Sequence, residues 1–317
     1  MASLLDIPIA VRKVGLLPLL RSIARETSDD NIVMLASALA YSWLFAIFPF
    51  LIFLLSLLPY LPDAAKDAVI SEMTRWVYND VVPRQLGDTV WQNVTSLLSR
   101  PQHALLSVGL VLTLLSASGG INTTISAIER CYDLPEGRPF YKQRPLAILL
   151  TLLVSFLILS LLLVIPVGTV AIHWIERHGS TLVSAPIFLF WKAVRYPLGL
   201  LLMFAVLHLL YHYGPSIRQK RVYVSPGAVF CVAVWLLLGL VFRLYVDRFG
   251  KYNETYGTVG GVAILLLFFY IDSLVLLVGA EINSEIDFAV LGVPRGQCDF
   301  TRPWRSDIPL STPDGVE

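Results

Sequence analysis

The chain has 317 residues, 56% of them hydrophobic and 15% charged, with a mean hydropathy of +0.69 and a formal net charge of +1. A soluble globular chain carries about a quarter charged residues, so this balance excludes an ordinary soluble domain and gives no concentrated basic face for nucleic acid. Cys131, Cys231 and Cys298 are odd in number and lack metal-type spacing, so they read as reduced or membrane-buried thiols.

The chain opens with "MASLLDIPIAVRKVGLLPLLRSIARE", whose charges are spread between interrupted apolar stretches. A cleavable signal needs a basic start, one apolar block and a small-residue site, so residues 1–31 read instead as an amphipathic segment at the cytoplasmic interface. A membrane-spanning helix needs about 20 apolar residues. Six segments meet that length, at roughly 32–58, 104–128, 146–172, 190–212, 224–246 and 258–281. The fourth contains Lys192 and Arg195, which leaves its start open between residue 190 and Tyr196. The expected architecture is an all-α, six-helix transmembrane domain over 32–284, followed by a cytoplasmic tail over 285–317.

Between the first two spans, residues 59–103 form the one large insertion. Val69, Ile70, Met73, Trp76 and Val77, then Val90, Val94, Leu97 and Leu98, follow helical spacing, which predicts two amphipathic helices outside the membrane. With the N-terminus inside, the cytoplasmic segments hold 14 of the 24 Lys and Arg residues, including the acid-free loop "GPSIRQKRVY". The positive-inside rule therefore places both termini in the cytoplasm.

The polar residues of the spans sit at unequal depth. Asp272 falls about 12 Å above the inner edge of the last span at 1.5 Å per residue, whereas Glu281 falls at that edge. Their nine-residue separation puts them on opposite helix faces, so they are not a carboxylate pair. Ser37, Tyr41, Ser118, Asn122 and His208 fall at similar depth to Asp272. Together with Asn283, which shares a face with Asp272, they are candidates to line a polar cavity in the inner half of the bundle. The alternative is that Asp272 is satisfied by neighbouring polar groups and fixes helix register.

No nucleotide-binding loop, G-x-S-x-G turn or H-E-x-x-H helix occurs, so neither an ATP-driven mechanism nor catalytic chemistry has a motif here, and no cofactor or metal is expected. His208 and His212 lie four apart and could face one ion, but an interfacial hydrogen-bonding pair is the simpler reading. The glycine clusters "ASGG" and "TVGG" read as sites of close helix packing.

Three stretches carry a family resemblance. "LASALAYSWLFAIFPFLIFLLSLLP" and "SASGGINTTISAIERCYD" resemble the first two blocks of the YihY/virulence factor BrkB family, formerly labelled ribonuclease BN. "YNETYGTVGGVAILLLFFYIDSLVLLVGAEINSEI" resembles its most distinctive stretch, in which a Tyr-Gly pair opens the last helix and Gly-Ala-Glu-x-Asn closes it. The resemblance implies a six-helix bacterial inner-membrane protein with functional weight on Tyr256, Gly257, Gly279, Glu281 and Asn283. Gly260, in the same stretch, joins them as a packing position. Asp272 stands where the family pattern leads one to expect a small or hydroxyl residue. The expected function is a transporter or flippase, not driven by ATP, for a lipid or another amphiphile in envelope biogenesis, with membrane lipids as partners. The alternative is a scaffold that docks an envelope protein through 59–103. A tRNA-processing nuclease fits the residues poorly. Substrate, energy source and oligomeric state are open. Arg130 is one candidate partner for Glu281.

Overall fold

The computed structural model describes residues 3–60, 103–134, 137–178, 181–219, 222–249, 253–292 and 299–300. These residues form eight α-helices: α1 (Asp6–Val14), α2 (Leu16–Asp29), α3 (Ile32–Leu57), α4 (His103–Cys131), α5 (Phe140–His178), α6 (Thr181–His208), α7 (Pro226–Phe249) and α8 (Asn253–Leu291). The fold is all-α. Its only strands among the described residues are β1 (Arg218–Gln219) and β2 (Asp299–Phe300), which pair in parallel over two residues. The predicted insertion 59–103 and the tail beyond residue 300 lie almost wholly outside the described residues.

Five helices contain stretches long and apolar enough to cross a membrane: Ile32–Phe53, Leu106–Cys131, Phe140–Ser160, Ala193–Tyr213 and Val262–Leu291. The remaining expected span coincides with α7, whose apolar stretch Pro226–Val241 is shorter. Helices α5 and α8 have 39 residues each, so each is about 58 Å long and outruns a hydrocarbon core of about 30 Å. Lys192 and Arg195 do not interrupt α6, which runs without a break from Thr181 to His208 and continues as a π-helical turn, Leu209–Tyr213.

The expected N-terminal amphipathic segment is two helices rather than one. Gly15 separates them at a φ of +92°, in the left-handed region where a Cβ would be strained. Its N–H closes α1 on the Val11 carbonyl at 2.9 Å. Pro18 falls in the first turn of α2, where no intrahelical N–H is needed. The inward faces of the hairpin bury Ala10 and Leu19 against Ile286 of α8, with Ile7, Val11, Ile23, Ile282 and Val290 around them.

The chain divides into two compact units. Unit 1 comprises Met1–Val33, Thr124–Val234 and Val275–Glu317, and unit 2 comprises Met34–Thr123 and Trp235–Leu274. Within unit 2, α3 and α4 approach closely because small residues face large ones. A Cβ on Gly109 would lie 3.3 Å from the Phe53 backbone, and one on Gly120 would lie 3.0 Å from the Trp43 indole. The indole meets Phe269 of α8 edge-on at 6.1 Å. The "ASGG" cluster thus packs through its second glycine, while Gly119 faces open space.

Candidate functional site

The closing motif of the last helix lies in unit 1, and its two small or polar members hold the start of α7. Gly227 and Gly279 meet backbone to backbone, so a Cβ on Gly227 would collide with the Gly279 carbonyl oxygen. The first turn of α7 needs acceptors for its free N–H groups. Ser225 Oγ accepts from Ala228 N at 3.2 Å, and Asn283 Oδ1 reaches across from α8 to accept from Gly227 N at 2.8 Å. Pro226 between them has no N–H to satisfy. Asn283 is fully buried, and its Nδ2 has no hydrogen-bond partner among the described residues. On the other side of Gly279, the Tyr211 hydroxyl donates to the Leu276 carbonyl at 2.6 Å and touches Cys231 Sγ at 3.1 Å.

Glu281, two residues before Asn283, is 1% exposed. It does not pair with Arg130. The Arg130 Nε lies 3.2 Å from Oδ1 of Asp30, and Asp30 is the residue whose carboxyl stands within side-chain reach of Glu281, together with the Cys131 thiol. Ser284 Oγ donates to Glu281 Oε2 at 3.3 Å, leaving Oε1 without a well-formed hydrogen bond. The order is therefore an exposed guanidinium, a buried carboxyl, and a second buried carboxyl. Two carboxyls so placed stay together with a cation or a proton to offset their like charge. Asp30 reaches this position because Asn31, at a φ of +53°, turns the chain between α2 and α3.

Further acids of α8 are held from both sides within unit 1. Ser22 of the hairpin donates to Glu285 Oε2 at 2.5 Å, and the Tyr132 hydroxyl donates to Asp287 Oδ2 at 3.4 Å. Burial, and then the Asp287 carboxyl, push the Tyr132 phenol well above its usual range. At the end of α4, Glu129 Oε1 accepts from Ser216 N at 3.0 Å. Arg138 donates to the carbonyls of Gly214 and Pro215, fixing the loop after the π-helical turn. Burial lowers its guanidinium pKa, and the opposing charge of Glu129 works in the other direction.

The other sequence candidates occupy varied settings. In unit 2, Tyr41 is 59% exposed and stacks on Phe45 at 4.5 Å, and Ser118 is fully buried with its hydroxyl bonded to the Leu115 carbonyl. Asn122 and Asp272, also in unit 2, are part-buried, and Asp272 has no cationic partner among the described residues. His208, in unit 1, is part-buried and its Nδ1 lies 3.0 Å from the Val222 carbonyl. Its ring stacks on that of His212 at 5.1 Å and faces Tyr223 at 5.3 Å. Ser37, also in unit 2, is exposed rather than turned into a cavity. Tyr256, Gly257 and Gly260 fall in the first turns of α8, where side chains lie outside the described residues.

Beside His208, unit 1 carries a groove of about 460 Å³ between α5 and α6. Leu153, Phe156 and Leu157 form one wall, Leu201 and Phe204 the other, and His208 and Tyr223 close one end. Ala205 of α6 also lines it with a small side chain.

Sequence reasoning found Glu281, Asn283 and Gly279 by motif, and missed Asp30, Glu129, Cys131, Tyr132, Tyr211 and Asp287. The motif block "SAIERCYD" contained three of these, Glu129, Cys131 and Tyr132, and only their partners in space gave them a role.

The family model described as virulence factor BrkB matches residues 23–295. A ribonuclease-like protein of Bacillus subtilis, YfkH, is 34% identical over 251 residues, covering 78% of this chain and 88% of the relative. A UPF0761 membrane protein of Alteromonas mediterranea is 24% identical over 270 residues, covering 83% of this chain and 85% of its own length. One from Delftia acidovorans is 23% identical over 270 residues, covering 84% of this chain but only 61% of the relative. No solved structure matches.

Proposed function

Starting from a chain that belongs to the virulence factor BrkB family of integral membrane proteins, we propose that it moves a lipid or another amphiphile across the bacterial inner membrane without ATP. The observation that carries this reading is the groove between α5 and α6. Its volume of about 460 Å³ lies within the range of small-molecule sites, its walls are leucine and phenylalanine, and one end carries His208 and Tyr223. An acyl chain fits such walls.

In this reading the hairpin and the acids of α8 face the cytoplasm, which the 14 of 24 Lys and Arg in the segments assigned to that side support. The Asp30, Glu281 and Arg130 assembly then lies at the inner edge of the bundle, where a change in its charge can accompany movement of a head group. The ribonuclease-like name belongs to the Bacillus relative. Among the described residues no three His, Cys, Asp or Glu side chains converge as a metal site that a nuclease reaction would use.

The experiment is lipid translocation by the purified chain in vesicles, with Ala205→Trp to fill the groove. Loss of flux in that variant supports the reading. Absence of flux by the parent for every amphiphile tried, with a stable co-purifying envelope protein, would replace it with a scaffold.

A further inference from the structure

We propose that the α1–α2 hairpin is a membrane-surface anchor whose outer face docks on the anionic lipid of the leaflet it adjoins. The inference is independent of what the protein transports. The inner face of the hairpin is already filled by Ile286 and its neighbours on α8. Its outer face is open among the described residues. Leu5 is 80% exposed and Leu17 is 79% exposed, and Leu4, Leu16 and Leu20 are exposed beside them. Exposed leucines in such number, two just before α1 and three on α2, mark a surface that is covered in use.

Chain connectivity and charge together identify what covers it. Helix α2 ends at Asp29 and the first membrane stretch starts at Ile32, so two residues separate the hairpin from the bilayer boundary. Flanking the leucines, Arg12, Arg21 and Arg25 are exposed, while Lys13 turns to donate to the Val290 carbonyl of α8. The one exposed acid of the hairpin, Asp29, is held by Arg25 at 3.2 Å. An apolar stripe bordered by cations, fixed at the height of the head groups, matches an anionic lipid surface. A second copy of the hairpin would bring like charges together.

The test places a nitroxide at Leu17→Cys in the full chain, with the native cysteines replaced by alanine. The chain is reconstituted in vesicles of phosphatidylethanolamine with phosphatidylglycerol, or of phosphatidylcholine alone. In the anionic vesicles the label collides more with oxygen than with a water-soluble nickel chelate. Arg12→Gln and Arg21→Gln each weaken the docking equilibrium about fivefold. Hydrogen exchange of the native-sequence chain provides a second reading, with amides of residues 16–25 slower in anionic than in neutral vesicles. A label open to the nickel chelate in both vesicles would overturn the proposal. A label shielded from both colliders would also overturn it, since a protein surface would then be the occupant. Exchange that ignores lipid charge would remove the anionic requirement and the proposal with it.

Discussion

Arg130 Nε lies 3.2 Å from Oδ1 of Asp30, and the carboxyl it holds is the neighbour of Glu281 across α8. The guanidinium is 60% exposed and the carboxyl 7%, so solvent screens one end of the pair and not the other. Arg130→Ala leaves a buried acid facing a second buried acid. The expected loss is about 2 kcal/mol, in the range for a charged hydrogen bond and below that for a fully buried pair. Adding Glu281→Gln removes the like charge and recovers part of that loss. Thermal unfolding of the four proteins of this cycle reads the coupling, and strict additivity would separate Glu281 from the pair.

The Gly227–Gly279 crossing predicts a steep contrast between glycines. Gly227→Ala drives a Cβ into the Gly279 carbonyl and to 2.8 Å from Asn283 Nδ2, with no flexible atom to give way. The cost is about 3 kcal/mol or more, the upper range for overpacking. Gly239 of α7 faces open space, so Gly239→Ala gains up to about 1 kcal/mol from helix propensity. Yield of monodisperse protein and its melting temperature check both directions.

The start of α7 depends on two caps from different parts of the chain. Ser225→Ala removes the local acceptor and costs about 1 kcal/mol. Asn283→Ala leaves the buried Gly227 N–H without an acceptor, for about 1–3 kcal/mol. Hydrogen exchange at Gly227 and Ala228 distinguishes them: Asn283→Ala speeds the former, Ser225→Ala the latter.

Tyr211→Phe is expected to destabilise by about 1 kcal/mol, since the buried Leu276 carbonyl loses the hydroxyl that donates to it at 2.6 Å. The same substitution raises the reactivity of Cys231 toward a small membrane-permeant thiol reagent, because the hydroxyl also lies against its sulfur. Unchanged labelling of Cys231 would contradict that contact.

Much of the fold was legible because hydropathy and helix length report directly on membrane stretches. Leu106–Cys131 and Val262–Leu291 overlap the expected 104–128 and 258–281 but run three and ten residues beyond them, and Lys192 and Arg195 were the real ambiguity around α6. The closing motif was legible because Gly279 and Asn283 are unusual in an apolar run. What it touches was not. Gly227 lies 52 residues before Gly279 in the sequence, and no periodicity within either helix encodes their crossing. Asp30 was overlooked for a related reason: at a helix boundary an acid reads as a surface or capping residue. Only the left-handed turn at Asn31 brings it inward, and an asparagine there is a weak signal. Arg130 was expected to pair with Glu281 and instead holds Asp30.

The most direct test of the central claim is lipid flux in reconstituted vesicles by the parent, Ala205→Trp and Leu240→Trp. Ala205 lines the groove, whereas Leu240 is 62% exposed on α7 and serves as a control for an added indole. The account predicts flux in the parent and in Leu240→Trp, and at least about tenfold less in Ala205→Trp with its melting temperature retained, the factor that corresponds to about 1.4 kcal/mol. Equal flux in all three, or flux in none with a folded parent, would contradict it.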